Sequence, residues 1–140
     1  MKKLLLDTTV IVDLGRSFLP TRRWFAAQNL GDLYTSAVTV GELFRGANQR
    51  HGRDAVALAG VLRDLRTVRL APFAGRILPF DAAAAEIWGR LVGEGAARGA
   101  LPPIDDAKIA AIALRHGLTV ATSNTKHLAP LVATIDPRTA

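Results

Sequence analysis

Short apolar runs of strand length recur along this chain, separated by stretches with helical periodicity, and this alternation restricts the fold more than any other feature. Lys3 to Leu6 reads as a buried strand running into the turn residues Asp-Thr-Thr, followed by a short helix from Val10 to Leu14. Pro20 opens a helical segment that Gly31 can stop, and Leu33 to Thr35 is a second strand. Helices are expected from Thr39 to about Gln49 and from Arg53 to Arg69. A third strand follows from Arg76 to Phe80, confined by Pro79 to an edge or an end. Asp81 caps a helix reaching about Arg98, a loop with two prolines covers Gly99 to Ile104, and a helix from Asp105 stops at Gly117. Leu118 to Ala121 and Val132 to Ile135 complete the strands. Strands and helices in this order are expected to form an α/β sandwich of three layers, with a mainly parallel central sheet flanked by helices.

No internal repeat, low-complexity tract or linker divides residues 1–140, so one domain is expected, with 49% hydrophobic residues to supply its core. Lys and Arg number 18 against 12 Asp and Glu, a formal charge of +6 that suits a polyanionic partner as well as it suits simple solubility. The chain has no cysteine, which excludes disulfides and thiolate metal sites. Two lysines ahead of leucines resemble the start of a signal peptide, but Asp7 breaks the apolar run and no small-residue cleavage site follows. No uncharged apolar run approaches the roughly 20 residues that span a bilayer. A cytoplasmic, soluble protein is expected.

Ligands of an open parallel sheet bind beyond the carboxyl ends of its strands, and polar residues collect there. Asp7 follows the first strand, Glu42 lies near the start of the helix after the second, and Asn124 follows the fourth. Asp105 and Asp106 open the apolar helix that leads into the fourth strand, and their reach depends on how that helix crosses the sheet. Each residue also has a purely structural use. Asp7 and Asn124 suit turns or caps, Asp105 and Asp106 compete for one cap position, and Thr39-Val40-Gly41-Glu42 spells a capping box with Glu42 reaching back to the Thr39 amide. Gathered in one cleft, however, the acids would repel one another without a cation. A hard divalent ion such as Mg²⁺, which takes oxygen ligands, answers that need. His51, His116 and His127 lack zinc-site spacing.

The segments LLLDTTVIVDL, SAVTVGELFRGA, AGRILPFDAAAAEIW and IDDAKIAAIALRHGLTVATSNTKHL resemble, in order and spacing, the PIN-domain toxins of the VapC type, the ribonuclease halves of VapBC toxin–antitoxin operons. The resemblance runs from Lys3 to about Pro137. It implies a PIN fold and an endoribonuclease that uses Mg²⁺, with Mn²⁺ able to substitute, and that cuts structured RNA at exposed loops. It also implies a homodimer, a small VapB-like antitoxin that holds the enzyme inactive, and contact with operator DNA only through that antitoxin. Asp7 matches the family's first metal-binding aspartate, Glu42 the glutamate of its ExxxG helix, and Asp106 the aspartate three positions before Ile-Ala-Ala. Asn124 stands at the fourth acidic position, where a neutral ligand implies a weaker second metal position. Thr9 stands where many members carry Asn or Ser. Asp105, as an added acid or the helix cap, and Thr8 and Thr122 are auxiliary candidates.

The chemistry implied is in-line attack of a metal-activated water on a phosphodiester, leaving a 5′-phosphate and a 3′-hydroxyl rather than a 2′,3′-cyclic end. Arg16, Arg22, Arg23, Arg45 and Lys126 are candidate phosphate contacts, and Trp24, Phe25, Tyr34 and Trp88 candidate base-stacking residues that helical spacing assigns equally to the core. A haloacid-dehalogenase phosphatase needs a second acid two residues after the first, where Thr9 stands, and a receiver domain needs its acid pair at the first strand. Outside enzymes, the alternative is an inactive PIN scaffold that binds an antitoxin and operator DNA, with the acids serving as caps.

Overall fold

The computed structural model describes residues 2–140. The chain runs β1 (Leu4–Leu6), α1 (Thr8–Gly15), α2 (Leu19–Ala26), β2 (Leu33–Ser36), α3 (Ala37–His51), α4 (Ala55–Asp64), β3 (Ile77–Leu78), α5 (Ala82–Ala97), α6 (Ile104–His116), β4 (Thr119–Ala121), α7 (Thr125–Leu128) and β5 (Thr134–Ile135). The five strands form one parallel sheet in the order β3-β2-β1-β4-β5. After β1 the chain steps outward to β2 and β3, then returns to place β4 on the other side of β1, with Leu4 opposite both Leu33 and Thr119. The strand order therefore reverses between β1 and β4, the position at which a crevice opens beyond the carboxyl edge of such a sheet.

Because β1 is central, all three of its leucines are buried, and their alternation divides the core. Leu5 faces α5 and α6, in a cluster with Ile109, Ile112, Val120 and Leu128. Leu4 and Leu6 face the other layer, with Val10, Ile11, Trp24, Leu33 and Phe73. Ile109 and Ile112 are fully buried, each contributing about 1.5–3 kcal/mol of apolar transfer, and the alanines between them let α6 lie close to its neighbours. Gly117 ends α6 at φ 66°, where its amide bonds to the Leu114 carbonyl at 3.3 Å and that of Leu118 to the Ala113 carbonyl at 2.9 Å.

Several boundaries differ from those expected. The first helix begins at Thr8, two residues before Val10, because the Asp7 carbonyl already accepts from the amides of Val10 and Ile11. The helix expected to continue to Gly31 stops at Ala26, where the Gln28 side chain takes the Trp24 carbonyl at 3.0 Å. The Arg53 to Arg69 segment is helical in two pieces, α4 and a wider π-type turn over Leu65–Arg69. Pro79 limits the edge strand to Ile77–Leu78.

Two expected caps are absent. Thr39 does not begin α3: Ser36 does, its hydroxyl accepting from the Thr39 amide at 3.0 Å. The N-cap thus lies one turn earlier than expected, without a capping box, and Glu42 takes no part in it. Neither Asp105 nor Asp106 caps α6, which starts at Ile104 after Pro103 and has no side-chain cap. Asp81 does cap α5, accepting from the Ala84 amide at 2.9 Å.

The sequence did not disclose one tie across the fold. Asp13, 2% exposed, accepts from Arg138 Nε and Nη2, both at 2.8 Å, from Thr21 Oγ1 at 2.9 Å and from Arg16 Nη2 at 3.0 Å. The Arg138 guanidinium also lies 5.1 Å from the centre of the Phe18 ring. The hydrogen bond from Arg138 leads the contacts that hold the Asp13 carboxyl below its ordinary pKa. Arg138→Ala is expected to cost about 2–3 kcal/mol in a urea titration at neutral pH, since charged hydrogen bonds are lost from a buried acid. Because a lowered folded pKa contributes its full stability above the unfolded value and loses it as pH falls through the folded one, the difference between wild type and variant should close as pH falls below the ordinary aspartate range.

Candidate functional site

The carboxyl edge of the sheet carries three braced carboxylates. Asp7 directly follows β1, and its amide continues the ladder to the Ala121 carbonyl at 2.9 Å, so its side chain is fixed beside β4 and is 3% exposed. Thr122 Oγ1 donates to Asp7 Oδ2 at 2.8 Å. The same oxygen accepts from the Asn124 amide at 2.9 Å and lies 3.4 Å from Thr9 Oγ1, which accepts from the Ser123 amide at 3.1 Å. Since Thr122 spends its one proton on Asp7, the Thr9 hydroxyl must donate to Thr122. The two threonines form a relay of hydroxyls that ends on Asp7.

Glu42, in the second turn of α3, is held by Thr8 Oγ1, which donates to Oε1 at 2.5 Å. Asp106 reaches the same edge because α6 runs back against the strand it precedes, which puts its first turn at the carboxyl end of β4. Asn124 Nδ2 donates to Asp106 Oδ2 at 3.3 Å, and His127 Nδ1 lies 3.5 Å from that oxygen. Asp105 sits at the rim, 36% exposed, with Arg45 Nη1 3.7 Å away. Sequence reasoning missed His127, whose one signal was its place three residues after Asn124 on a short helix.

These carboxyls share one electrostatic neighbourhood. Burial raises the pKa of Asp7 above the ordinary range against its bonds to Thr122 and Thr8, and the charge of Asp106 adds to the rise. Burial likewise raises Glu42, opposed by Thr8 and reinforced by Asp7, Asp105 and Asp106. Asp106 is raised by burial and by Asp105, against His127 and Asn124. Among the described residues no three His, Asp or Glu side chains are already drawn around one point. The donors are nevertheless all oxygen, most of them anionic, and mutually repelling, a set that fits a hard divalent cation and not zinc.

The other candidates are dispersed. Arg16 donates to Asp13 through Nη2 while its side chain stays largely exposed, and with Thr8 and Glu42 it lines a cavity of about 370 Å³ among α1, α3 and α4. Lys126 is exposed on α7, two residues after Asn124. Arg22 lines a different cavity with Phe25, and Arg23 is exposed on α2. Trp24 belongs to the core, while Phe25, Tyr34 and Trp88 pack against it, so the aromatic residues serve packing and not an open stacking surface.

A raised carboxyl pKa has a stability consequence of definite sign. The folded chain binds the proton more tightly than the unfolded chain, so ionisation above the folded pKa costs stability, and the cost disappears below the unfolded value. Asp106→Asn is therefore expected to raise the Tm of the chelator-treated protein by a few degrees at pH 7.5, with the gain shrinking toward zero below about pH 4. Melting curves across that range check both the sign and the pH window.

The family profile of the PIN domain matches residues 4–130. The chain is 38% identical over 130 residues to Toxin FitB of Neisseria gonorrhoeae, covering 87% of this chain and 88% of that protein. It is 35% identical over 132 residues to Ribonuclease VapC4 of Mycobacterium tuberculosis, covering 92% of each. Its fold superimposes on that of a chain in the DNA-bound VapBC crystal structure from Salmonella typhimurium with a TM-score of 0.77 and 27% identity, covering 98% of this chain and 99% of that one. With the profile spanning most of its length and relatives above 30% identity across nearly all of it, this chain belongs to the PIN-domain family.

Proposed function

We propose that this chain is the toxin of a type II toxin–antitoxin pair and acts in the cytoplasm as a Mg²⁺-dependent endoribonuclease, with Mn²⁺ able to replace Mg²⁺. The observation that carries this reading is that Asp7, Glu42 and Asp106 lie along the carboxyl edge of the sheet at the strand-order reversal, each braced by a side-chain donor and each raised in pKa. Family membership and the toxin and ribonuclease names of its relatives support it.

Asp7 and Asp106 would hold the ion, with Glu42 joining directly or through a water. When bound, such an ion neutralises charge on the phosphodiester and lowers the pKa of the attacking water. Glu42, held through Oε1 by Thr8, is suited to take a proton from that water. Asn124 and Thr122 keep the two aspartates in place, Thr8 keeps Glu42, and Asp105 adds negative charge at the rim. Arg45 and Lys126, both exposed near the acids, are suited to RNA phosphates, and Arg16 to a phosphate further along the cavity. Water as the nucleophile leaves a 5′-phosphate and a 3′-hydroxyl.

The proposed assembly is one PIN domain over residues 1–140, paired as a homodimer and bound by a small VapB-like antitoxin through which operator DNA is reached. The DNA-bound VapBC complex supports such an arrangement by similarity of fold.

Purified protein incubated with total cellular RNA and Mg²⁺ should make discrete cuts with 5′-phosphate ends. Chelator should abolish them, and Asp7→Ala or Asp106→Ala should slow them roughly a hundredfold or more. Cleavage that persists equally in chelator and in both variants would sink the metal nuclease. A wild-type protein that never cuts but binds its antitoxin equally well in chelator would be the inactive scaffold.

A further inference from the structure

Asp106 differs from Asp7 and Glu42 in the number of side chains that address one oxygen. Asn124 Nδ2 and His127 Nδ1 both approach Oδ2, at 3.3 and 3.5 Å, and among the described residues Oδ1 accepts no side-chain or backbone hydrogen bond. Both partners ride on α7, which is anchored at its two ends. The Asn124 amide bonds to Thr122 Oγ1 at 2.9 Å, and Leu128 is fully buried in the cluster with Ile109 and Ile112. Half-exposed though it is, His127 is therefore carried by a fixed element and not by a loose loop.

A carboxylate held at one oxygen by one long contact can still turn about its Cβ–Cγ bond. A second polar group against the same oxygen, here the His127 ring nitrogen in contact at 3.5 Å, restricts that rotation and leaves the remaining oxygen aimed. A neutral imidazole with its proton on Nδ1 is sufficient, so no change of charge is required. We propose that His127 is a positioning residue: through Nδ1 it shares Asp106 Oδ2 with Asn124 and thereby presents Oδ1 to the divalent cation. The inference rests on the reading of Asp7, Glu42 and Asp106 as a metal site.

The test is calorimetric titration of Mn²⁺ into the full chain carrying His127→Ala, His127→Asn or His127→Gln, beside wild type, with affinity for an RNA oligonucleotide measured in chelator as the control. Asparagine places an amide nitrogen at the position of Nδ1, whereas glutamine carries it one carbon further, toward the position of Nε2. Loss of an outer partner of a ligating side chain weakens metal binding about 10- to 100-fold, and that loss is expected for alanine and glutamine while asparagine restores most of the affinity. RNA affinity in chelator should be the same in all four proteins. Mn²⁺ binding by the alanine variant equal to that of wild type would overturn the proposal. So would rescue by glutamine and not asparagine, accompanied by weakened RNA binding, which would assign His127 to the substrate through Nε2. If wild type itself took no Mn²⁺, the metal reading and this proposal would fall together. Normal Mn²⁺ binding with the predicted variant pattern, but no RNA cleavage, would remove the nuclease reading and leave the positioning role standing.

Discussion

Parallel pairing of β1 with both β2 and β4 is the constraint on which the rest of the structure depends. It buries three consecutive leucines, sends alternate side chains into two separate cores, and sets the point at which strand order reverses. It also explains why Asp7 is buried. An acid placed one residue beyond the central strand cannot escape to solvent as it could beyond an edge strand, so its ionised form must be supported locally. The Thr9–Thr122 relay supplies one such support from across the sheet.

The acids strain the fold in return. Burial and mutual repulsion push three carboxyls toward their neutral forms in the absence of a cation, while every hydroxyl or amide that braces them works against that push. Asp13 is a useful contrast within the same chain. It is as buried as Asp7, but it meets two guanidinium groups and a threonine, and its carboxyl is held below the ordinary range. The difference is the presence of permanent positive charge. One acid closes its own electrostatic account inside the protein, and the others leave theirs open at the carboxyl edge of the sheet.

The legible parts of the sequence were those decided by near neighbours. Pro79 correctly limits an edge strand, Asp81 caps α5 and Gly117 stops α6, because each acts within a few residues of itself. Apolar spacing likewise marks the strands, and the positions of Asp7 and Asn124 after β1 and β4 follow from them. Glu42 was harder, since Thr39 and Ser36 offer the same capping chemistry three residues apart, and the choice is made by where β2 leaves the sheet. Asp106 could be placed only once the direction of α6 was known. The contacts of Asp13 with Arg138 and of His127 with Asp106 have no local pattern, being made by packing of distant segments.

The Asp13–Arg138 clamp joins residues 125 positions apart, and the Thr122–Asp7 bond spans 115. A chain emerging from the ribosome has its first acid in place early but cannot shape the site around it until β4 and α7 have been made. β1 is the middle of the sheet and yet must wait without one of its two neighbours through most of synthesis. Folding of this kind pays loop-closure entropy before long-range contacts repay it, and so belongs after translation more than during it. Chains that stop before β4 and α7 are accordingly left without an assembled acidic centre, and synthesis of those two elements times the appearance of whatever chemistry that centre performs.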